Sequence, residues 1–218
     1  MEKKNKKALV CGASLLIAFV LWTVLVCLVD VQAIGTEGSS VGFGTLNGYV
    51  HDLTGVNMSL YVITDWLGLV PIGIAFGFAV LGLVQLIKRK SLLKVDRSIL
   101  VLGGFYIVVM AVYILFETVV INYRPTLIGG YLEASYPSTT TMLVMCVMPT
   151  AMMQLRARIK NDVFRRCVML AIAAFIVFMV IGRLVSGVHW ITDIIGGALL
   201  SAAIVLMYYA ISNVATKY

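Results

Sequence analysis

Long apolar segments alternate with short polar connections along most of this chain. Six of the segments are long enough to cross a bilayer, whose hydrocarbon core takes about 20 helical residues. They run over residues 8–29, 62–87, 98–121, 139–155, 167–186 and 190–212. Apolar runs of this length with few charges are typical of membrane helices. The pattern predicts an all-α protein, an integral membrane six-helix bundle that forms a single membrane domain over residues 1–218.

The charged residues lie mostly in the connections, and strongly basic connections alternate with connections that carry at most one Lys or Arg. Three connections are strongly basic, namely residues 1–7, 88–97 and 156–166, and Lys217 lies close to the chain end. Because Lys and Arg are retained on the cytoplasmic side of a membrane, these connections and both termini are predicted to be cytoplasmic. The outer face is then predicted to hold the connections 30–61, 122–138 and 186–189.

The composition agrees with this assignment and narrows the function. The chain is 61% hydrophobic and 12% charged, with a mean hydropathy of +1.01, so its polar groups could not cover a soluble domain. The net charge of +7 comes from the cytoplasmic connections and does not indicate a nucleic-acid partner. Residues 8–29 exceed the apolar region of a secretory signal, about 7–15 residues, and are expected to remain as a membrane helix. The four cysteines show no metal-ligand spacing, and neither a metal nor a cofactor is expected.

Two arginines depart from the charge pattern, because they lie at the predicted outer ends of apolar segments. They are Arg124 and Arg183, whereas the other fifteen of the seventeen Lys and Arg residues lie at chain ends or in basic connections. Ionisable side chains at membrane depth are costly and mark functional sites. A guanidinium can bind two phosphate oxygens at once. Both residues are therefore candidates for binding an anion, and for Arg124 contact with lipid headgroups remains an equal alternative.

A histidine and a carboxylate follow Arg183 at helical spacing. His189 and Asp193 are four residues apart and share one face of the helix that Trp190 begins. A carboxylate bonded to one ring nitrogen fixes the tautomer and raises the basicity of the other nitrogen, which can then act as a nucleophile or base. The alternative is a His–Asp pair that only connects two helices.

A third group of polar residues opens the fourth apolar segment. Ser138, Thr139 and Thr140 follow Pro137, and residues of these types are favoured where a helix begins. The free N–H groups of a helix start can bind an anion. Simple capping explains the same residues equally well.

Together these motifs resemble those of the type 2 phosphatidic acid phosphatase family, which are integral membrane lipid phosphatases that share a core with certain haloperoxidases. The family's motifs read Lys-x6-Arg-Pro, Pro-Ser-Gly-His and Ser-Arg-x5-His-x3-Asp, in the order found here. The resemblance implies that His189 is a nucleophile that forms a phosphohistidine and that Asp193 orients it. It also implies a set of phosphate-binding residues, Arg124, Arg183, Ser138, Thr139 and Thr140.

The chain departs from these motifs at three positions. Glu117 stands at the lysine of the first motif, and it would pair with Arg124 if one helix continued through both residues. Thr140 stands at the histidine that protonates the leaving group, and a hydroxyl cannot act as a general acid near neutral pH. Gly182 replaces the serine of the third motif. His51 and Glu133 are alternative proton donors, and the sequence does not decide between them.

The predicted function is that of a lipid phosphatase or phosphotransferase. It would act on a lipid phosphate or diphosphate at the outer face of a bacterial plasma membrane, surrounded by membrane lipids. Diphosphates of polyprenols are slightly favoured, because a diphosphate expels a stabilised phosphate and depends less on a general acid. The alternative is a catalytically impaired family member that binds a phosphorylated lipid headgroup. A transporter is disfavoured, because the sequence shows neither a repeat nor a pair of broken helices.

Overall fold

The fold is known from a computed structural model that describes residues 3–215. Within this range the chain forms helices and loops with a few isolated β-bridges and no strand, which confirms the all-α prediction. The α-helices are α1 (Lys3–Leu28), α2 (Gly44–Thr54), α3 (Met58–Leu67), α4 (Leu69–Arg89), α5 (Arg97–Thr118), α6 (Thr139–Arg158), α7 (Asp162–Val185) and α8 (Ile191–Ala215). The predicted cytoplasmic residues 1–2 and Lys217 lie outside the described range.

Five helical stretches in the described range are long and apolar enough to cross a membrane. They are α1, the nearly continuous α3–α4 stretch Met58–Arg89, α5, α7 and α8. The predicted segment 139–155 also forms a helix, α6, but it contains several Thr residues, Gln154 and two arginines and is less apolar than the others. Many of its side chains are buried against neighbouring helices, which makes α6 an inner element of the bundle. The sixth span and the side on which each terminus lies remain predictions.

Helix α8 occupies the centre of the bundle and contacts α1, α6, α5, α2 and α7. Its buried Leu200 and Tyr208 join Phe105 of α5 and Met142 of α6 in the main apolar cluster. Burial of such side chains is the main source of stability where helices face each other rather than lipid. The remaining surfaces of the outer helices expose Leu, Ile, Val and Phe side chains, as expected for contact with lipid.

One end of the bundle carries nearly all of the polar residues identified in the sequence. Helices α5 and α7 end there, α6 and α8 begin there, and residues 119–138 form the loop between α5 and α6. The turn from α7 to α8 requires glycine at Gly187, whose φ of 69° is left-handed. A Cβ at this position would also lie 1.8 Å from the carbonyl oxygen of Gly55. This turn places His189 two residues before α8.

Candidate active site

The loop 119–138 folds back on itself and brings its two ends to the α7–α8 turn. The main-chain N–H of Arg124 donates to the carbonyl of Glu133 at 3.1 Å, and that of Ser135 donates to the carbonyl of Asn122 at 2.9 Å. The indole N–H of Trp190 donates to the carbonyl of Tyr123 at 2.8 Å, which ties the loop to the start of α8. The folded loop therefore carries Arg124 and Ser135 to His189.

His189 and Asp193 lie side by side, and Ser135 connects them. The Nδ1 atom of His189 is 3.6 Å from Oδ2 of Asp193, which is too long for a direct hydrogen bond. The Ser135 hydroxyl donates to that same carboxylate oxygen, and Ser135 Oγ lies 3.1 Å from His189 Nδ1. The main-chain N–H of Trp190 also donates to Asp193 Oδ2, at 2.8 Å. Asp193 thus acts on the imidazole through a serine hydroxyl.

This network assigns the tautomer of His189. Because the Ser135 hydrogen is directed to Asp193, the hydroxyl oxygen is left to accept a hydrogen bond from Nδ1–H. The other nitrogen, Nε2, then carries the lone pair that a nucleophile needs. Burial lowers the pKa of His189 well below its usual value of 6.5, and the positive charges of Arg124 and Arg183 lower it further. The imidazole is therefore neutral at physiological pH.

Arg183 lies beside the unprotonated nitrogen of His189 and is fully buried. Its Nη2 donates a hydrogen bond to His189 Nε2 at 3.2 Å, which must be given up before Nε2 can attack a substrate. Its Nη1 is 3.5 Å from Oδ1 of Asp65, within ion-pair distance but without the direction of a hydrogen bond. Within the described residues, neither Nε nor Nη1 of Arg183 has a hydrogen-bond partner. Unsatisfied donors of a buried cation are costly, so this guanidinium is set up to receive an acceptor.

Arg124 has a similar arrangement on the other side of the site, with 8% of its surface exposed. Its Nε is 3.1 Å from Oε2 of Glu133, again without hydrogen-bond direction, and its Nε and Nη1 lack hydrogen-bond partners in the described range. The ring of Tyr61 faces both guanidinium groups, at 5.1 Å from Arg183 Cζ and 6.0 Å from Arg124 Cζ. Two cations that share one ring repel each other until an anion lies between them.

The residues of the second motif are engaged mainly in capping α6. The Ser138 hydroxyl accepts from the N–H of Thr141 at 3.5 Å, and the N–H of Ser138 donates to the carbonyl of Asp193 at 3.0 Å. The Thr140 methyl lies close to Gly68, 3.4 Å from the position that a Cβ on this glycine would take. In the described range, no hydrogen bond is donated by the main-chain N–H of Thr139 or Thr140. Phosphate binding by this group remains a prediction.

The pairing of Glu117 with Arg124 does not occur. Helix α5 ends at Thr118, three residues before the predicted boundary, so the two residues do not share a helix face. Glu117 instead accepts a hydrogen bond from the Thr139 hydroxyl at 2.9 Å, and Arg124 pairs with Glu133. The acidic residue at position 117 therefore does not pair with Arg124 or prevent it from binding an anion.

The two candidate proton donors lie in different surroundings. Glu133 is 41% exposed and lies against Arg124, at the opening of the site. His51, on α2, packs against the ring of Trp190 with a centroid distance of 5.5 Å. Its Nδ1 is buried without a hydrogen-bond partner in the described range. His51 thus contacts Trp190, whereas Glu133 contacts an arginine of the site directly.

Several residues of the site were not found in the sequence analysis. Ser135 has no sequence signal, since only the folding of its loop brings it to His189. The sequence does contain a signal for Asp65, because an acidic residue inside the apolar segment 62–87 is costly and marks a functional site. Tyr61 lies four residues before Asp65 on the same face of α3, a spacing that would have identified a polar stripe.

Two comparisons agree with this architecture. A model of the PAP2 superfamily matches residues 111–217, which contain Arg124, Arg183, His189 and Asp193. The crystal structure of a transmembrane PAP2-type phosphatidylglycerolphosphate phosphatase from Bacillus subtilis is similar, with a TM-score of 0.53 and 20% sequence identity. The alignment covers 93% of this chain and 96% of that chain, and at this identity the similarity concerns the fold. No curated protein matches the chain significantly.

The apolar helices and the transmembrane relative define an integral membrane protein. The match to the PAP2 superfamily model over residues 111–217 supports the family that the three motifs indicate.

Proposed function

We propose that the protein is a membrane lipid phosphatase or phosphotransferase that takes the phosphoryl group of a lipid phosphate or diphosphate onto His189. The observation that carries this proposal is a pair of buried arginines, Arg124 and Arg183, with unsatisfied N–H donors beside His189 Nε2. A phosphate group supplies several acceptor oxygens for these unsatisfied donors and carries a negative charge that both guanidinium groups can share. Catalysis of phosphoryl transfer depends largely on such positioned positive charge.

The proposed reaction has two steps. His189 Nε2 attacks the phosphorus, the bond between phosphorus and the leaving oxygen breaks, and that oxygen takes the electron pair and, where it is an alkoxide, a proton from Glu133 or from solvent. Asp193, through Ser135, keeps the hydrogen on Nδ1 and stabilises the positive charge that the ring gains. Water, or an acceptor alcohol in a phosphotransferase, then attacks the phosphohistidine; the N–P bond breaks with its electron pair on Nε2, the proton of the attacking group passes to the group that gave the first one or to solvent, and His189 is restored. Arg124 and Arg183 hold the equatorial oxygens in both steps.

A lipid substrate is favoured by the surroundings of the site. An apolar groove of about 740 Å³ lies between α4 and α5, with Phe76 and Met110 among its lining residues. Met110, Tyr113 and Glu117 lie on one face of α5 at spacings of three and four residues, and this face leads from the groove to the site. The structurally similar protein from Bacillus subtilis is a phosphatidylglycerolphosphate phosphatase, so its own substrate belongs to this class.

We further propose that the site faces the outer side of the membrane. The basic connections 88–97 and 156–166 join the helix ends opposite to the site. Because such connections stay cytoplasmic, the end that carries Arg124 and His189 is left on the outer side.

The second candidate function is binding of a phosphorylated headgroup without turnover. It is supported by Thr140, which stands where the family has its acid, since general acid catalysis contributes about 10²–10⁴-fold. Phosphate release from a panel of lipid phosphates and diphosphates by detergent-purified protein separates the two candidates. The phosphatase proposal predicts release that is lost in His189→Ala. Release equal in wild type and His189→Ala would leave only the binding function.

A further inference from the structure

The charges at the site form two layers of opposite sign. The buried layer contains the guanidinium groups of Arg124 and Arg183, with 8% and 0% exposure. Above it are three exposed or partly exposed carboxylates, here called the acidic rim, which comprise Asp65 of α3, Glu117 of α5 and Glu133 of the loop. The hydroxyl of Tyr113 hydrogen-bonds with Glu117 and lies within the electrostatic range of Asp65 and Arg124, so Glu117 belongs to the same neighbourhood as the other charged groups.

In the unliganded site the arginines and the acidic rim partly neutralise each other. Asp65 lies 3.5 Å from Arg183 and Glu133 lies 3.1 Å from Arg124. Glu117 has no ion-pair partner in the described range, and its carboxylate accepts hydrogen bonds from the hydroxyls of Thr139 and Tyr113. The acidic rim thus sets three carboxylates against two guanidinium groups. An acidic rim of this kind would repel a phosphate that arrives with no positive charge of its own.

Phosphate binding changes this balance. The unsatisfied Nε and Nη1 atoms of the fully buried Arg183 point to an anionic ligand, and a phosphate that takes them competes with Asp65 for the same guanidinium. The same competition applies at Arg124 and Glu133. With the arginines committed to phosphate, the acidic rim is left without a cation. The ligand that satisfies both layers is therefore a zwitterion.

We propose that the substrate carries an amine, positively charged at neutral pH, close to the phosphate, and that the acidic rim selects for it. This inference rests on the proposed function and names the substrate class within it. The rim carboxylates are spread over three elements, and within residues 3–215 no three acidic, histidine or cysteine side chains converge closely enough to hold a metal ion. A cationic group carried by the lipid fits such a spread arrangement better than a divalent cation does.

A matched series of lipids isolates the charge of the amine. Sphingosine 1-phosphate carries a free amine, its N-acetyl derivative has the same chain without that charge, and its N,N-dimethyl derivative keeps the charge with added bulk. Wild-type protein should show a kcat/KM about tenfold higher for the two charged lipids than for the N-acetyl lipid, as one charge-assisted contact provides. Equal kcat/KM for all three lipids would overturn the proposal. It would also be overturned if added Mg²⁺ raised the kcat/KM of the N-acetyl lipid to that of the two charged lipids.

Variants locate the selectivity in the acidic rim. Glu117→Gln and the double variant Asp65→Asn, Glu133→Gln should each reduce the ratio of kcat/KM between the amine and N-acetyl lipids. Asp52→Asn, an exposed carboxylate on α2 outside the rim, should leave the ratio as in wild type. A ratio unchanged in both rim variants would contradict the assignment of the rim.

Binding to the His189→Ala protein separates this inference from the proposed function. The same three lipids can be compared as ligands in a thermal-shift titration, without any turnover. Amine-selective binding by a protein whose wild type releases no phosphate would defeat the phosphatase proposal and sustain the inference. Turnover of all three lipids with no selectivity in rate or in binding would support the phosphatase proposal and defeat the inference of an amine-bearing substrate.

Discussion

At the scale of single residues, the site depends on a serine that lies between a histidine and an aspartate. Asp193 reaches His189 through Ser135, because the direct distance of 3.6 Å is too long for a hydrogen bond. The imidazole is thereby oriented with a hydrogen on Nδ1 and with Nε2 next to Arg183. The chemistry assigned to His189 then depends on a loop that lies more than fifty residues earlier in the chain.

Removal of the Ser135 hydroxyl tests this connection. We expect Ser135→Ala to lower kcat by about 10–100-fold, as loss of such an orienting partner does at comparable sites, with a smaller change in KM. Ser40→Ala, on an exposed residue of another outer-loop segment, is the matched control and should keep wild-type kcat. Wild-type kcat in Ser135→Ala would show that Asp193 orients His189 without the serine.

The pH dependence follows from the lowered pKa of His189. Because the folded-state pKa lies well below 6.5, the ring stays neutral and nucleophilic when an ordinary histidine is already protonated. The acid limb of kcat/KM should therefore lie below pH 6.5. Stability changes in the same direction: below pH 6.5 the unfolded chain takes up a proton that the folded chain does not, so the contribution of this residue to stability is lost as pH falls. An acid limb at or above pH 6.5 would contradict the burial of a neutral ring.

Substitution of Thr140 tests whether a missing acid limits turnover. We expect Thr140→His to raise the turnover of phosphate monoesters more than that of diphosphates, because only monoesters expel a strongly basic alkoxide. Steady-state phosphate release with one substrate of each kind measures the difference. Equal acceleration of both would point to another proton donor, with Glu133 at the opening of the site the nearest to Arg124.

At the scale of elements, apolar length predicts the helices well and the loops poorly. The six predicted segments each coincide with a helix or with the α3–α4 stretch, because about 20 apolar residues have no other stable arrangement in lipid. The position of Ser135 could not be predicted, since it depends on hydrogen bonds between the two ends of the loop 119–138. The end of α5 at Thr118 was also missed, because Val119–Ile121 continue the apolar pattern outside the helix.

The close contact of α3 with α7 gives a prediction at this scale. A Cβ at Gly182 would lie 2.8 Å from Cγ2 of Thr64, so glycine allows the approach that brings Asp65 to Arg183. Gly182→Ser restores the family's residue but should destabilise the protein by about 1–3 kcal/mol through overpacking. Thermal unfolding in detergent measures this loss. Gly77→Ser, where a Cβ meets nothing within 4 Å, is the control, and an equal effect of both substitutions would argue against the contact.

At the scale of the whole molecule, the predicted orientation places the site at the outer face. The motif residues Arg124, Arg183, His189 and Asp193 are brought together as the sequence analysis expected, because alternating helices return the chain to the same end. The acidic rim could not be recognised in the same way, since Asp65, Glu117 and Glu133 come from separate segments and share no motif.

Single cysteines introduced at positions 128 and 160 of a variant without the four native cysteines test the orientation. A membrane-impermeant thiol reagent added outside should label position 128 and leave position 160 unlabelled until the membrane is permeabilised. Labelling of position 160 alone from outside would invert the topology.

The central claim, a covalent phosphoryl group on His189, is tested most directly by trapping the intermediate. Protein incubated briefly with a ³²P-labelled lipid phosphate and quenched in alkali should carry a label that is stable in base and labile in acid, as a phosphohistidine is. The label should map to the peptide that contains His189 and be absent from His189→Ala. Phosphate release by wild type without any such label, or an equal label on His189→Ala, would contradict the account.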